Sequence, residues 1–131
     1  MEKRIHTFLM FQGQAEKAIN LYTSLIKESE IISLLRYTAE GPGVEGTVAH
    51  AIFTLAGQEY MAIDSYVQHD FGFTPAISLF LDCLSETEID ELFERLSQNG
   101  KVLMPLDDYG FSRKFGWLND EFGVSWQLNL Q

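Results

Sequence analysis

The sequence predicts an α+β fold of paired βαβββ modules, forming a curved mixed sheet around a central cleft with the helices on the outer face. Three observations carry this prediction. Short apolar or alternating runs are interrupted twice by a segment of helical period. The order strand, helix, strand, strand, strand then occurs twice, offset by about 65 to 70 residues, which is an internal duplication. The last strand, finally, is apolar on one face and carries uncharged hydrogen-bonding groups on the other. A module this small cannot bury both faces of its sheet, so the halves are expected to share a core or a cavity. At 131 residues the chain reads as one domain, with module one at about 1–65 and module two at about 73–131.

Taken in order, residues 5–11 (I-H-T-F-L-M-F) are dense in apolar side chains and stop at Gln12-Gly13, as a buried strand does. From Gln14 to Ile26 the period changes: Ala15, Ala18, Ile19, Tyr22, Leu25 and Ile26 form the apolar stripe of an amphipathic helix. Residues 30–37 make the next strand. Residues 47–55 and 59–64 form a hairpin turned by Ala56-Gly57-Gln58. After a polar stretch over 65–72, Pro75 introduces a strand over 76–83 and marks where its pairing starts or an edge is reached. Ser85-Glu86-Thr87-Glu88 reads as a capping box, with the Ser85 hydroxyl accepting from the Glu88 amide and the Glu88 carboxylate reaching back to Ser85. Ile89, Leu92, Phe93 and Leu96 give that helix its buried stripe, and Gly100 after Asn99 is expected to supply the left-handed residue that ends it. Strands over 101–106, 112–118 and 124–130 complete the repeat, the first of them at an edge because of Pro105.

The run from Tyr109 to Leu128 is a hairpin in which Asn119, Asp120, Glu121, Phe122 and Gly123 supply the turn. Val124, Trp126, Leu128 and Leu130 alternate with Ser125, Gln127 and Asn129. Uncharged polar groups beside Trp117, Trp126 and Phe115 fit the wall of a ligand cavity, where a few polar atoms orient a mostly apolar guest. Charge narrows the partners. A formal net charge of −10 repels phosphate backbones and anionic headgroups, so neither nucleic acid nor a membrane surface is expected as a partner. The single Cys83 gives no intramolecular disulfide framework, which fits the cytoplasm, and no segment reads as a secretory signal or a membrane span.

The runs F-x-G-x-A-E-x-A-x-x-x-Y at Phe11 to Tyr22, F-T-P-A-I-S-L-F at Phe73 to Phe80, and the closing Y-G-F-S-x-K-F-G-W-L-x-D-x-F-G-V-S-W-Q-L resemble the PhnB-like branch of the vicinal-oxygen-chelate superfamily. The resemblance spans nearly the whole chain and implies paired strand–helix–three-strand modules and a homodimer. Members of this branch often carry the label 3-demethylubiquinone methyltransferase. No strand here is followed by the glycine-rich turn opening a helix that a Rossmann-like methyltransferase needs, so that activity and S-adenosylmethionine binding are not expected.

The wider superfamily includes glyoxalases, ring-cleaving dioxygenases, fosfomycin-modifying enzymes and bleomycin-binding proteins, so the fold leaves the chemistry open. In its metal-using relatives the resemblance implies ligands on the first and last strand of each module. Carried over, these positions fall at His6, or Thr7 with a one-residue shift; at Ala62 or Asp64; near Ala76; and at Gln127. Ala76 cannot ligate and Gln127 is a weak neutral donor, so His6, Asp64 and Gln127 form an incomplete set for a divalent metal, and no other cofactor is indicated. The expected cleft is lined by Tyr60, Asp64, Phe80, Phe111, Arg113, Trp117, Ser125 and Gln127. Of Arg113 and Lys114 only one can face it. Cys83 reads as a buried hydrophobe, and Met10, Met61 and Met104 as gap-filling core. Three functions fit: a small-molecule binder lacking a complete metal site; a divalent-metal-dependent lyase, transferase or dioxygenase of the glyoxalase type; or an acidic dimer sequestering a planar cationic antibiotic on Trp117 or Phe111.

Overall fold

The computed structural model describes residues 3–131, in two compact units that divide after Asp70. Each unit holds one helix and one four-stranded mixed sheet. In the first, β1 (Thr7–Phe11), α1 (Ala15–Leu25), β2 (Glu30–Arg36), β3 (Val48–Leu55) and β4 (Gln58–Asp64) give the sheet order β1-β4-β3-β2. In the second, β5 (Leu79–Cys83), α2 (Glu86–Ser97), β6 (Lys101–Asp107), β7 (Lys114–Asn119) and β8 (Ser125–Leu130) give β5-β8-β7-β6. In both units the first strand pairs in parallel with the last and all other pairings are antiparallel. This is the duplicated βαβββ module expected from the sequence. Pro105 lies on β6, which is an edge strand.

Register fixes which side chains the helix covers. In module one the pairs Leu9↔Ala62 and Ala51↔Ala62 put these three residues on one face with Phe11, Phe53, Leu55 and Asp64. All are buried, under α1 and its stripe of Ala15, Ala18, Ile19 and Tyr22. The opposite face carries Phe8, Met10, His50, Ile52, Met61 and Ile63. In module two Leu81↔Leu128 and Gly116↔Leu128 place Leu79, Leu81, Cys83, Trp126, Leu130 and Leu118 on the face under α2. Ile89, Leu92, Phe93 and Leu96 of α2 pack there, and fully burying such a side chain is worth roughly 1.5–3 kcal/mol. Gly116 is required beneath them, because a Cβ there would run into the Phe93 ring and Leu106.

Two buried carboxylates tie these layers together. Gln14, the residue before α1, makes no side-chain cap. Asp64, at the end of β4, replaces it: one oxygen accepts from the Gly13 and Ala15 amides at 2.7 and 3.0 Å, and the other accepts from the Val48 amide at 2.9 Å. Asp120 does the same for the β7–β8 turn, accepting from the amides of Phe122 and Val124 and from the Trp126 indole at 3.0 Å.

The structure departs from the sequence reading in local detail. β1 starts at Thr7 because its pairing with β4 begins at Thr7↔Tyr60, leaving Ile5 in solvent. β5 starts at Leu79, since Pro75 and Ala76 lie in a turn. Ser85 caps α2 as expected, accepting from Glu88, but the Glu88 carboxylate reaches the amide of Leu84 rather than that of Ser85. The left-handed residue after α2 is Asn99, with φ 58°. Gly100 serves another purpose, because a Cβ there would strike the Asn119 carbonyl on β7.

Replacing Asp64 by alanine leaves three backbone donors without their carboxylate, at about 1–3 kcal/mol for each unsatisfied group. We expect Asp64→Ala to lower the unfolding free energy by about 3 kcal/mol or more in urea titrations. A loss below about 1 kcal/mol would show that the three bonds do not hold α1 and β3 in place.

Candidate functional site

The helix-free face of module two concentrates the chemistry. Alternation on β8 places Ser125, Gln127 and Asn129 there, and the register Trp117↔Gln127, Phe115↔Asn129 and Phe80↔Gln127 brings Trp117, Phe115 and Phe80 beside them. The polar atoms form a row. The Trp117 indole donates to the Ser125 hydroxyl at 2.8 Å, the Ser125 and Ser78 hydroxyls lie 2.7 Å apart, and the Gln127 side-chain amide donates to Ser78 at 3.3 Å. Farther along the strands the Asn129 amide donates to Asp82 at 3.2 Å. The side-chain carbonyls of Asn119 and Asn129 are buried without a hydrogen-bond partner among the described residues. At that end the rings of Phe80, Tyr109 and Phe111 surround Phe115, with centroids 6.3, 6.1 and 5.0 Å away.

Five of the predicted cleft residues therefore share this face: Phe80, Phe111, Trp117, Ser125 and Gln127. Trp126 does not, since it lies under α2 and donates to Asp120. Arg113, two residues before Phe115, is exposed, whereas Lys114 points to α2 and pairs with Asp90 at 2.7 Å and Glu86 at 3.4 Å. The hydrogen bond that the Lys114 ammonium donates to Asp90 holds its pKa above the ordinary lysine value.

In module one, Tyr60, Ala62 and Asp64 all lie on the helix-covered face of β4. Tyr60 stacks on buried Phe53 at 5.6 Å, and burial raises its pKa. Asp64 is 2% exposed, and both its oxygens are committed to backbone amides. His6 lies just before β1, and its Nδ1 is 3.4 Å from a carboxylate oxygen of Glu59. Glu59 alternates with Tyr60 on β4, so His6 and Asp64 belong to opposite faces of the sheet and do not converge. His50 sits beside Phe8, and His69 contacts the Ser65 hydroxyl at 3.0 Å. Met10 and Met61 lie on the helix-free face of module one, and Met104, paired with Trp117, on that of module two.

Sequence reasoning missed two of these contacts. The residue whose side chain meets Gln127 is Ser78, which immediately precedes β5, while Ala76 lies in an exposed turn. The signal was present, since Ser78, Phe80 and Asp82 share one parity, but the turn after Pro75 displaced the start of the strand. Glu59 lies on the opposite parity of β4 from Tyr60, Ala62 and Asp64, so that set does not include it.

Two βαβββ modules of this topology define the vicinal-oxygen-chelate class of fold. The chain belongs to the PhnB-like family of that class: residues 3–129 match the family described as 3-demethylubiquinone-9 3-methyltransferase. It is similar to the solved structure of a PhnB protein from Bacillus cereus, with 62% identity, TM-score 0.96, and 98% of this chain and 100% of that one covered. Over 83 residues it is 30% identical to protein YjdN of Escherichia coli (strain K12), covering 63% of this chain and 56% of that protein. The chain thus spans little more than half the length of that curated relative. FosX, the genomically encoded fosfomycin resistance protein of Listeria monocytogenes, shares the fold at 15% identity and TM-score 0.66, with 100% of this chain and 94% of that one covered.

The superfamily's metal chemistry needs several strong donors around one point. The residues found here do not fit it. Asp64 is spent on backbone amides, Gln127 is tied to Ser78, and among the described residues no three His, Cys, Asp or Glu side chains come together to hold an ion.

Cys83 lies under α2, where burial and then the carboxylates of Glu88 and Asp82 push its thiol pKa up to about 12. Folded protein at pH 8 should therefore resist alkylation by iodoacetamide, with modification following only on unfolding. Fast stoichiometric labelling of the native chain, read by intact mass, would contradict this placement.

Proposed function

We propose that the chain binds a small, mostly apolar molecule on the helix-free face of module two, without a complete glyoxalase-type metal site and without methyltransferase activity. The row of Trp117, Ser125, Ser78 and Gln127 carries this reading. It offers oriented, uncharged polar groups beside the half-exposed Phe80 ring, the composition of a site that aligns an apolar guest. A strand face built only for solvent carries charges at such positions instead. The argument against methyl transfer rests on topology. Neither sheet is doubly wound, and no parallel strand leads through a glycine-rich turn into a helix able to hold a nucleoside cofactor.

The same reading makes the protein a cytoplasmic homodimer. Edge strand β6 offers an unpaired side, and Val102 and Phe111 of the same module are exposed. Light scattering at micromolar concentration should give twice the chain mass, and a monomer mass alone would remove this part of the proposal.

Three measurements test the binding reading. In amide-correlation NMR, neutral aromatic fragments should shift the Trp117 indole and Gln127 side-chain signals. Calorimetry with S-adenosylmethionine should show no micromolar binding. Elemental analysis after dialysis against a mild chelator should find well under one equivalent of divalent metal per chain. A stoichiometric retained ion would move the metal-dependent enzyme ahead, and micromolar affinity for S-adenosylmethionine would restore the methyltransferase.

A further inference from the structure

The hydrogen-bond row on module two has a direction. An indole N–H donates and never accepts, so Trp117 fixes the inner end of the chain. Ser125, 2% exposed, accepts that hydrogen, and among the described residues its own proton has only the Ser78 hydroxyl within reach. Were Ser78 to donate inward instead, the Ser125 proton would be buried without an acceptor, a costly arrangement. The order is therefore Trp117 to Ser125 to Ser78. Ser78 is half-buried, and it accepts from Ser125 and from the Gln127 amide, so its own proton points away from the protein network. Turning the Gln127 amide over changes the outer atom but not the polarity: Ser78 then donates to the Gln127 carbonyl, and the Gln127 N–H groups face outward. In either arrangement the accessible end of the row presents hydrogen.

We infer that this face selects a ligand through an uncharged acceptor oxygen, of the carbonyl or carboxamide class, which receives the outward hydrogen from Ser78 or Gln127 while the ligand's apolar body lies against Phe80 and Trp117. The inference rests on the binding reading above and names its ligand class. Successive donors polarise one another along such a chain, which strengthens the terminal bond. A formal anion is disfavoured because the row contains no cation and the chain carries a net charge of −10. Lys101, across from Asn119 on β6, lies in line with the row about 14 Å away at the spacing of three strands, and Arg113, two residues before Phe115, is exposed outside the row. At the outer end of the row a cation meets a donor hydrogen; the Asp82 carboxylate of this face lies farther along the strands and accepts from the Asn129 amide.

The test uses one ring system with four substituents: naphthalene, 1-naphthamide, 1-naphthoate and 1-naphthylmethylammonium, titrated against the full chain and followed by the Trp117 indole signal. The carboxamide should bind roughly three- to tenfold more tightly than naphthalene, the worth of one hydrogen bond, and more tightly than either ion. Ser78→Ala should reduce that preference, read as the ratio of carboxamide to naphthalene affinity. Gln127→Glu should reverse it in favour of the ammonium probe, because a carboxylate accepts the Ser78 proton and turns the outer end into an acceptor. If both variants keep the carboxamide preference, or if an ion binds best to the native chain, the donor assignment is wrong. If naphthalene and the carboxamide both leave Trp117 unmoved, the binding reading itself fails.

Discussion

Asp64 is the point on which module one depends. A single buried carboxylate accepts hydrogen bonds from the turn before α1, from the first residue of α1 and from the start of β3. It thereby caps a helix that has no side-chain cap of its own and fixes that helix over one face of the sheet. Once α1 is held there, strand alternation decides the rest. Tyr60, Ala62 and Asp64 are committed to packing, and whatever module one presents to a ligand must come from the parity of Phe8, Met10, Met61 and Ile63. Asp120 plays the corresponding part in module two, where it closes the β7–β8 turn and anchors the Trp126 indole beneath α2.

The consequence for chemistry is a separation of roles between carboxylates and neutral groups. The two buried aspartates are saturated by protein donors, so neither is available as a base or as a strong ligand. The helix-free face of module two is instead built from hydroxyls, side-chain amides and an indole. Such a surface can orient a guest through hydrogen bonds with neutral groups. Cys83, the remaining nucleophile of module two, is held protonated beneath the helix.

The family description names a methyltransferase, and neither sheet has the doubly wound order of a Rossmann-like one. A nucleoside cofactor is bound where strand order reverses in an open parallel sheet and a helix N-terminus meets it. Here each module has one parallel pair, β1 with β4 and β5 with β8, and the helix that follows the first strand starts from a turn without a glycine-rich cradle. FosX shares the duplicated fold at 15% identity, and a fold by itself does not fix function.

Much of this was legible in the sequence, because periodicity is a local signal. Both helices, their buried stripes, all eight strands, the Ser85 cap and the alternating faces of β8 follow from residue spacing and turn chemistry. So does the sharing of one face by Phe80, Trp117, Ser125 and Gln127, once the strands are paired. Only tertiary structure decided the register and the partners of polar groups. A strand that begins three residues later than its apolar run leaves Ala76 in a turn and brings Ser78, just before β5, to Gln127. A turn-forming aspartate becomes a helix cap because amides 49 and 51 residues away converge on it. These outcomes depend on hydrogen bonds between distant segments, whose geometry is set by packing and not by neighbours in the chain.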